Sequence, residues 1–369
     1  MDLDELRKQI DACDEILIDS LARRLALVRE VARAKCSGEQ ALFQRDRERE
    51  VVSRAVERGK SQGVSGVDTE SFMHSVIELS HVNQEAEFNR AAQHPKCLLI
   101  VGGAGRMGSR FGAEFKRRGH RVLVLELGEP VSAELVARAD CVMLAVPMGQ
   151  VLQVAGIVAP LVRPDALLVD INSLKQDVCR VMAEHCRGEV LGTHPMFGAT
   201  VSTLRRQKVV LCPVRRGPLS EWFIAELGSL GLETVESDSQ VHDRMMARVQ
   251  ALTHFSKLAL GEAWRRGGIA IEETLGFVSP IYRLELAMVG RLFAQDPELY
   301  AEIEMENPWA SAVRGDLVAA VGEVHALLSR GDRAGFSAFF ARIRDYLRGF
   351  SDEALALSDR VVDDLVKRA

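Results

Sequence analysis

Chemistry in this sequence has to come from a few residue types at particular places. His194 stands in "GTHPMFGAT", just after the apolar run "EVL", where an imidazole would close a strand. A neutral ring there could take a proton, although a strand-end histidine can also be satisfied by backbone alone. Ser173, in "LLVDINSLK", ends another apolar run and could orient that ring or simply cap the next helix. The stretch "CLLIVGGAGRMGSRFGAEFKRRGHRVLVLE" carries Gly103, Gly105 and Gly108 in a GxGxxG pattern between an apolar run and an amphipathic one, with Arg106 and Met107 inside the turn. Glycines permit the tight turn and close approach to a pyrophosphate, and the helix N-terminus offers amides and a positive dipole. Glu126 closes the next apolar run, where a carboxylate binds both ribose hydroxyls and repels a 2′-phosphate, so NAD is favoured over NADP. In "LAVPMG", Val146 and Pro147 would flank the nicotinamide side.

A second set lies near the N-terminus. At about 100° per residue, Leu3, Leu6, Ile10, Cys13, Leu17, Leu21, Val28 and Val31 form an apolar stripe within roughly 80° on one long helix. Arg24 and Lys35 project from the middle of that stripe, about 20° apart. A cation in such a place needs an anion. That anion is either an acid such as Glu48 in "RDRERE" or the carboxylate of a ligand. Arg7, about 100° round the helix from Arg24, cannot easily share its pocket within one chain but could reach one in a dimer partner.

The elements that must position these residues fall into three textures. Residues 1–92 read as three helices broken at "CSGEQ" and "GKSQGVSGVD"; residues 93–238 alternate short apolar runs with amphipathic stretches, the pattern of βαβ units on a parallel sheet; residues 239–369 have helical periodicity, with breaks at Gly267-Gly268, Ser279-Pro280, Pro297, Pro308, Gly331 and Gly349. The expected fold is an all-α module, then an α/β Rossmann domain, then an all-α domain. A chain of 369 residues with 47% hydrophobic and 27% charged residues has ample material for such cores. A net charge of −5 argues against a nucleic-acid surface, and seven scattered cysteines without a CxxC argue against a disulfide framework or zinc site. No metal is expected. The acidic, helical N-terminus is unlike a secretory signal, and no apolar run reaches the roughly 20 residues of a membrane span, so a cytoplasmic protein is expected.

Arg24, Lys35, Arg47 and Glu48, together with Ser80 and Gln84 four apart in "FMHSVIELSHVNQEAEF", resemble the active site of the small all-helical chorismate mutases, with matching order and spacing from Arg7 to Gln84. The resemblance implies a Claisen rearrangement of chorismate to prephenate, with Arg7 of a partner chain, Arg24 and Ser80 on carboxylates. It puts Lys35 and Gln84 on the ether oxygen, Glu48 on the ring hydroxyl and Arg47 lining the pocket. Gln44 departs from the acid that some members carry. "HPMFG", "QALTHFSK" and "SPIYRLELAMVGRLFAQDPELYAEI", with the glycine turn, resemble prephenate dehydrogenase, so that nearly the whole chain is similar to the bifunctional chorismate mutase/prephenate dehydrogenases of enteric-type bacteria. This implies NAD-dependent oxidative decarboxylation of prephenate to 4-hydroxyphenylpyruvate. His194 would take the ring hydroxyl proton and Ser173 would orient it. Arg291 would bind a carboxylate, His254 and Tyr300 would lie near the pocket, and Arg283 is a further candidate. A homodimer and tyrosine as feedback inhibitor are also implied. The alternatives are a dehydrogenase alone, with the N-terminal helices serving dimerisation or tyrosine sensing, a preference for arogenate, or an NAD-binding regulator without turnover.

Overall fold

The computed structural model describes residues 2–36, 45–88 and 94–367, with the side chains of residues 35, 36, 45, 85–88 and 367 left aside. The N-terminal helices are α1 (Leu3–Cys36), α2 (Arg45–Ser61) and α3 (Gly66–Phe88). Then follow β1 (Cys97–Val101), α4 (Arg106–Arg117), β2 (Arg121–Leu125), α5 (Ala133–Ala137), β3 (Cys141–Leu144), α6 (Met148–Val158), β4 (Leu167–Asp170), α7 (Gln176–His185), β5 (Glu189–Pro195), β6 (Lys208–Arg215), α8 (Pro218–Ser229) and β7 (Glu233–Glu236). The remainder is helical: α9 (Ser239–Met246), α10 (Leu252–Gly267), α11 (Ile271–Thr274), α12 (Pro280–Phe293), α13 (Pro297–Glu306), α14 (Ala310–Ser329), α15 (Arg333–Leu347) and α16 (Ser351–Lys367). A π-helical turn, Ala247–Ala251, joins α9 to α10.

The seven strands follow the order β2-β1-β3-β4-β5-β6-β7. β1 runs parallel to β2 with Cys97 opposite Arg121, and β4 runs parallel to β5 with Leu167 opposite Glu189. Every residue of β3 and β4 is buried, as expected for strands covered on both faces. The Rossmann expectation holds, and β7 is an addition: "ETVE" is exposed throughout and offers no apolar run from which to read a strand.

By compactness the chain divides into two units. The first comprises residues 1–143, 196–209 and 217–234, and the second residues 144–195, 210–216 and 235–369. In the first, α1 and α2 pack on α3, with Ala32, Val52, Val76 and Ile77 buried. The N-terminal half of the α1 stripe stays bare, Leu3 and Ile10 being 59% exposed. Amphipathic α4 buries Gly108, Phe111, Gly112 and Phe115 at helical spacing. In the second unit, the helix boundaries follow the sequence breaks. Gly268 ends α10 at φ 70°, Ser279 caps α12 before Pro280, and Asp296 caps α13 before Pro297.

Candidate functional site

In the first unit the chain turns from β1 into α4 through Gly102, whose φ of 80° suits glycine, and Gly103, where a Cβ would stand 2.8 and 2.9 Å from the Val124 methyls. Gly105 caps α4 without a side-chain bond, so the first amides of the helix carry no side-chain cap. Arg106 is exposed, Met107 half-buried and Gly108 buried. Just after β2, the Glu126 carboxylate accepts from the Ala104 N–H at 2.6 Å. The bare turn and its neighbouring carboxylate fit a dinucleotide's pyrophosphate and ribose.

The N-terminal helices bring part of the second set together. Arg24 donates to the Ser80 hydroxyl and to the Val76 carbonyl at 3.3 Å, while Ser80 itself is buried. Among the described residues no carboxylate bonds Arg24, and burial lowers the pKa of its guanidinium. Glu48, the acid weighed as its partner, instead pairs with buried His81, Oε1 to Nε2 at 2.6 Å. The outward-facing Arg47 pairs with Glu50 at 2.5 Å, and exposed Arg7 pairs with Asp4 at 3.3 Å. Gln84 is half-buried on α3. The side chain of Lys35 and all of Gln44 lie outside the described residues. A polar cavity of about 790 Å³ opens beside Glu48, with Arg49, His74 and Arg206 in its wall.

In the second unit His194 is 2% exposed near the end of β5. Its Nδ1 lies 3.0 Å from His242 Nε2, and His242 Nδ1 lies 2.7 Å from the Asp243 carboxylate. That carboxylate also accepts the Lys175 and Gln176 amides at 2.8 and 2.9 Å. With both rings neutral, the order of donors follows. A carboxylate only accepts, so His242 Nδ1 carries hydrogen and its Nε2 accepts. His194 Nδ1 therefore donates, leaving His194 Nε2 as the acceptor. Gln250, on the π-helical turn, offers its amide nitrogen to that Nε2 at 3.2 Å. Burial drives the His194 pKa well below its usual 6.5, helped by His242 and Lys175. Lys175, itself buried, pairs with Asp170 and donates to the Thr193 carbonyl at 2.8 Å, fixing the strand end that carries His194.

Ser173 is half-buried in the turn after β4 and is not among the hydrogen-bond partners of His194 in the described residues. Sequence reading passed over His242, Asp243, Gln250 and Lys175. The HD pair in "SQVHDRMMARVQ" was the available signal. Val146 is buried, its carbonyl accepting from Asn172 at 2.8 Å, while Pro147 is exposed and caps α6, whose Gly149 amide meets Glu302 of α13 at 2.7 Å. His254 and Tyr300 meet edge to face at 4.9 Å. Burial, aided by Lys257, lowers the His254 pKa to about 4. Burial raises that of Tyr300 against the opposing charge of Arg291. Arg283 and Arg291 are both exposed on α12.

Three family models match the chain: chorismate mutase type II over residues 6–85, the prephenate dehydrogenase nucleotide-binding domain over 115–223, and the prephenate dehydrogenase dimerization domain over 238–342. The T-protein of Haemophilus influenzae is 32% identical over 98% of this chain and 96% of its own. The T-protein of Enterobacter agglomerans is 35% identical over 96% and 94%. Among solved structures, prephenate dehydrogenase from A. aeolicus in complex with hydroxyphenyl propionate and NAD+ shares the fold, with a TM-score of 0.55 at 17% identity, covering 70% of this chain and 99% of that one.

Proposed function

Because this chain belongs to the T-protein family, the bifunctional chorismate mutase/prephenate dehydrogenases of tyrosine biosynthesis, we propose that its residues divide the two reactions as follows. The chain rearranges chorismate to prephenate and oxidises prephenate with NAD. The first reaction needs no proton transfer, only a dianion held in a reactive conformation and charge stabilised at the breaking ether bond. Arg24, half-buried beside the buried Ser80 and without a protein carboxylate among the described residues, would take a substrate carboxylate. Lys35 and Gln84 would serve the ether oxygen, Glu48 the ring hydroxyl, and Arg47 the pocket wall. Arg7 of a second copy would complete the site. The bare apolar half of α1 and the match to a dimerization domain support a homodimer.

For the second reaction, Gly103, Gly105, Gly108 and their neighbours Arg106 and Met107 would hold the pyrophosphate, Glu126 the ribose, and Val146 and Pro147 the nicotinamide side. When bound, NAD supplies the hydride acceptor. His194 Nε2 would take the proton of the ring hydroxyl in the place now held by the Gln250 amide, while Arg291 would bind a carboxylate bidentately. Ser173, His254, Tyr300 and Arg283 would line the substrate side. The observation that carries the assignment is the hydrogen-bonded chain from Asp243 through His242, which fixes His194 Nε2 as an acceptor, with the Gln250 amide as its partner.

Domain limits at 1–92, 93–238 and 239–369, tyrosine as feedback inhibitor and a cytoplasmic location complete the reading. Among the described residues no helix is long and apolar enough to cross a membrane, and the described cysteines form no disulfide. Chorismate loss and NADH formation, followed together on purified protein, test it. Arg24→Ala should abolish chorismate loss and spare NADH formation from added prephenate, and His194→Asn should do the reverse. Two intact activities in both variants would refute the assignments, and NADH from arogenate but not prephenate would refute the substrate.

A further inference from the structure

Two buried side chains beside the mutase residues have no part in the chemistry above. His81 on α3 is 5% exposed, and its Nε2 lies 2.6 Å from Glu48 Oε1. Arg205 comes from the loop that follows β5, far along the chain. Its side chain is 6% exposed and it bonds Glu78 Oε2 at 3.1 Å, three residues before His81 and two before Ser80. That loop is pinned on both sides of Arg205. Thr203 Oγ1 accepts the Arg205 amide at 3.1 Å, and Arg206, at φ 59°, donates its amide to the Gly231 carbonyl at 2.8 Å. Gln207 accepts from the Glu233 amide at 2.9 Å. A non-glycine residue in the left-handed region persists only where its surroundings over-determine it. The turn thereby sends consecutive arginines to different places, Arg205 against α3 and Arg206 to the cavity beside Glu48.

We infer that His81, three residues along α3 from the Glu78 that pairs with Arg205 of the dehydrogenase region, is a positioning residue of the chorismate mutase site that aims the Glu48 carboxylate. The inference rests on the assignment of Glu48 to the ring hydroxyl. The Nε2–H of His81 occupies Glu48 Oε1 and leaves Oε2 for a substrate hydroxyl. One oxygen fixed by a rigid ring and the other open is the arrangement that removes the rotational freedom of a glutamate. The groups facing His81 are Glu48, Arg205 and Glu78. Burial and the Arg205 charge outweigh the two carboxylates and lower the His81 pKa. A neutral His81 orients Glu48 without cancelling its charge. The mutase site is therefore tuned by a segment that sequence order assigns to the other activity.

The test uses the full-length enzyme and reads mutase kcat, KM and pH profile beside NADH formation from prephenate. His81→Leu should lower mutase kcat by about ten- to hundredfold, as expected for a lost hydrogen bond to a charged group, with a smaller change in KM. His81→Gln, whose amide nitrogen reaches the same place, should recover most of that loss. Arg205→Met should move the acid limb of the mutase profile upward, because His81 then gains a proton more readily. NADH formation should be unchanged throughout, which also reports that the chain is folded. Wild-type mutase constants and pH profile in His81→Leu and Arg205→Met would overturn the inference. So would a His81→Leu loss that Gln fails to recover, combined with an unmoved Arg205→Met profile. Glu48→Gln separates the two claims. Full mutase activity in that variant refutes the Glu48 assignment itself, whereas its loss alongside normal His81 and Arg205 variants refutes only the inference.

Discussion

Asp243→Asn is the most informative single change to the dehydrogenase site. The carboxylate accepts three hydrogen bonds, from His242 Nδ1 at 2.7 Å, the Lys175 amide at 2.8 Å and the Gln176 amide at 2.9 Å, the first two on Oδ1 and the third on Oδ2. An asparagine keeps the most bonds with its oxygen at Oδ1, which leaves its NH2 facing the Gln176 N–H. The two donors then face each other without an acceptor at a part-buried place, and the cost to stability is about 1–3 kcal/mol. In the reaction the larger effect is loss of the anion behind His242. When His194 takes the ring proton, that anion no longer stabilises the charge. At about 1.4 kcal/mol per tenfold, a lost charged hydrogen bond of about 1.5–3 kcal/mol gives a kcat lower by about ten- to hundredfold. If the amide flips, it donates to His242 Nδ1, the tautomers reverse along the chain, and His194 Nε2 carries hydrogen. The loss then approaches the whole of a general-base contribution, about 10²- to 10⁴-fold. NADH formation from saturating prephenate measures kcat, thermal unfolding measures stability, and chorismate loss should be unchanged. A kcat within about twofold of wild type would refute the relay through His242.

The pH dependence follows from His194. Its neutral form works and its pKa lies well below 6.5, so dehydrogenase kcat should hold to below pH 6.5 before its acid limb appears; a limb at or above that value would contradict the buried, neutral ring. Stability should be full above about pH 6.5 and decline as pH falls, because the unfolded chain binds protons that buried His194 and His254, with a pKa of about 4, refuse until lower pH; denaturant melts at stepped pH check this sign. Gly103→Ala should destabilise by about 1–3 kcal/mol and raise the KM for NAD, since its Cβ meets both Val124 methyls under 3.0 Å, and Val124→Ala in the same chain should restore part of both. Glu126→Ser should raise the KM for NAD about tenfold and admit NADP, which steady-state kinetics with both dinucleotides will read.

The sequence by itself determined whatever depends on a segment's own periodicity and residue types. Three N-terminal helices, the glycine turn before α4, the acid after β2 and the breaks at Gly268, Pro280 and Pro297 were all legible, because burying one face and turning a corner are demands that local residues meet. The polar strand β7 escaped, since "ETVE" has only one apolar residue, Val235, and one residue sets no period. Only the tertiary structure decided which polar groups meet. His194 stands 48 residues from His242 and 56 from Gln250, and Arg205 stands 127 from Glu78. Glu48 could have been paired with Arg24 on charge alone, yet it takes His81, while Arg24 takes Ser80 and a carbonyl. Charge and spacing restrict the candidates, but a hydrogen bond needs atoms within about 3 Å in the right orientation. Packing of distant segments sets that distance, and no pattern within a single segment records it.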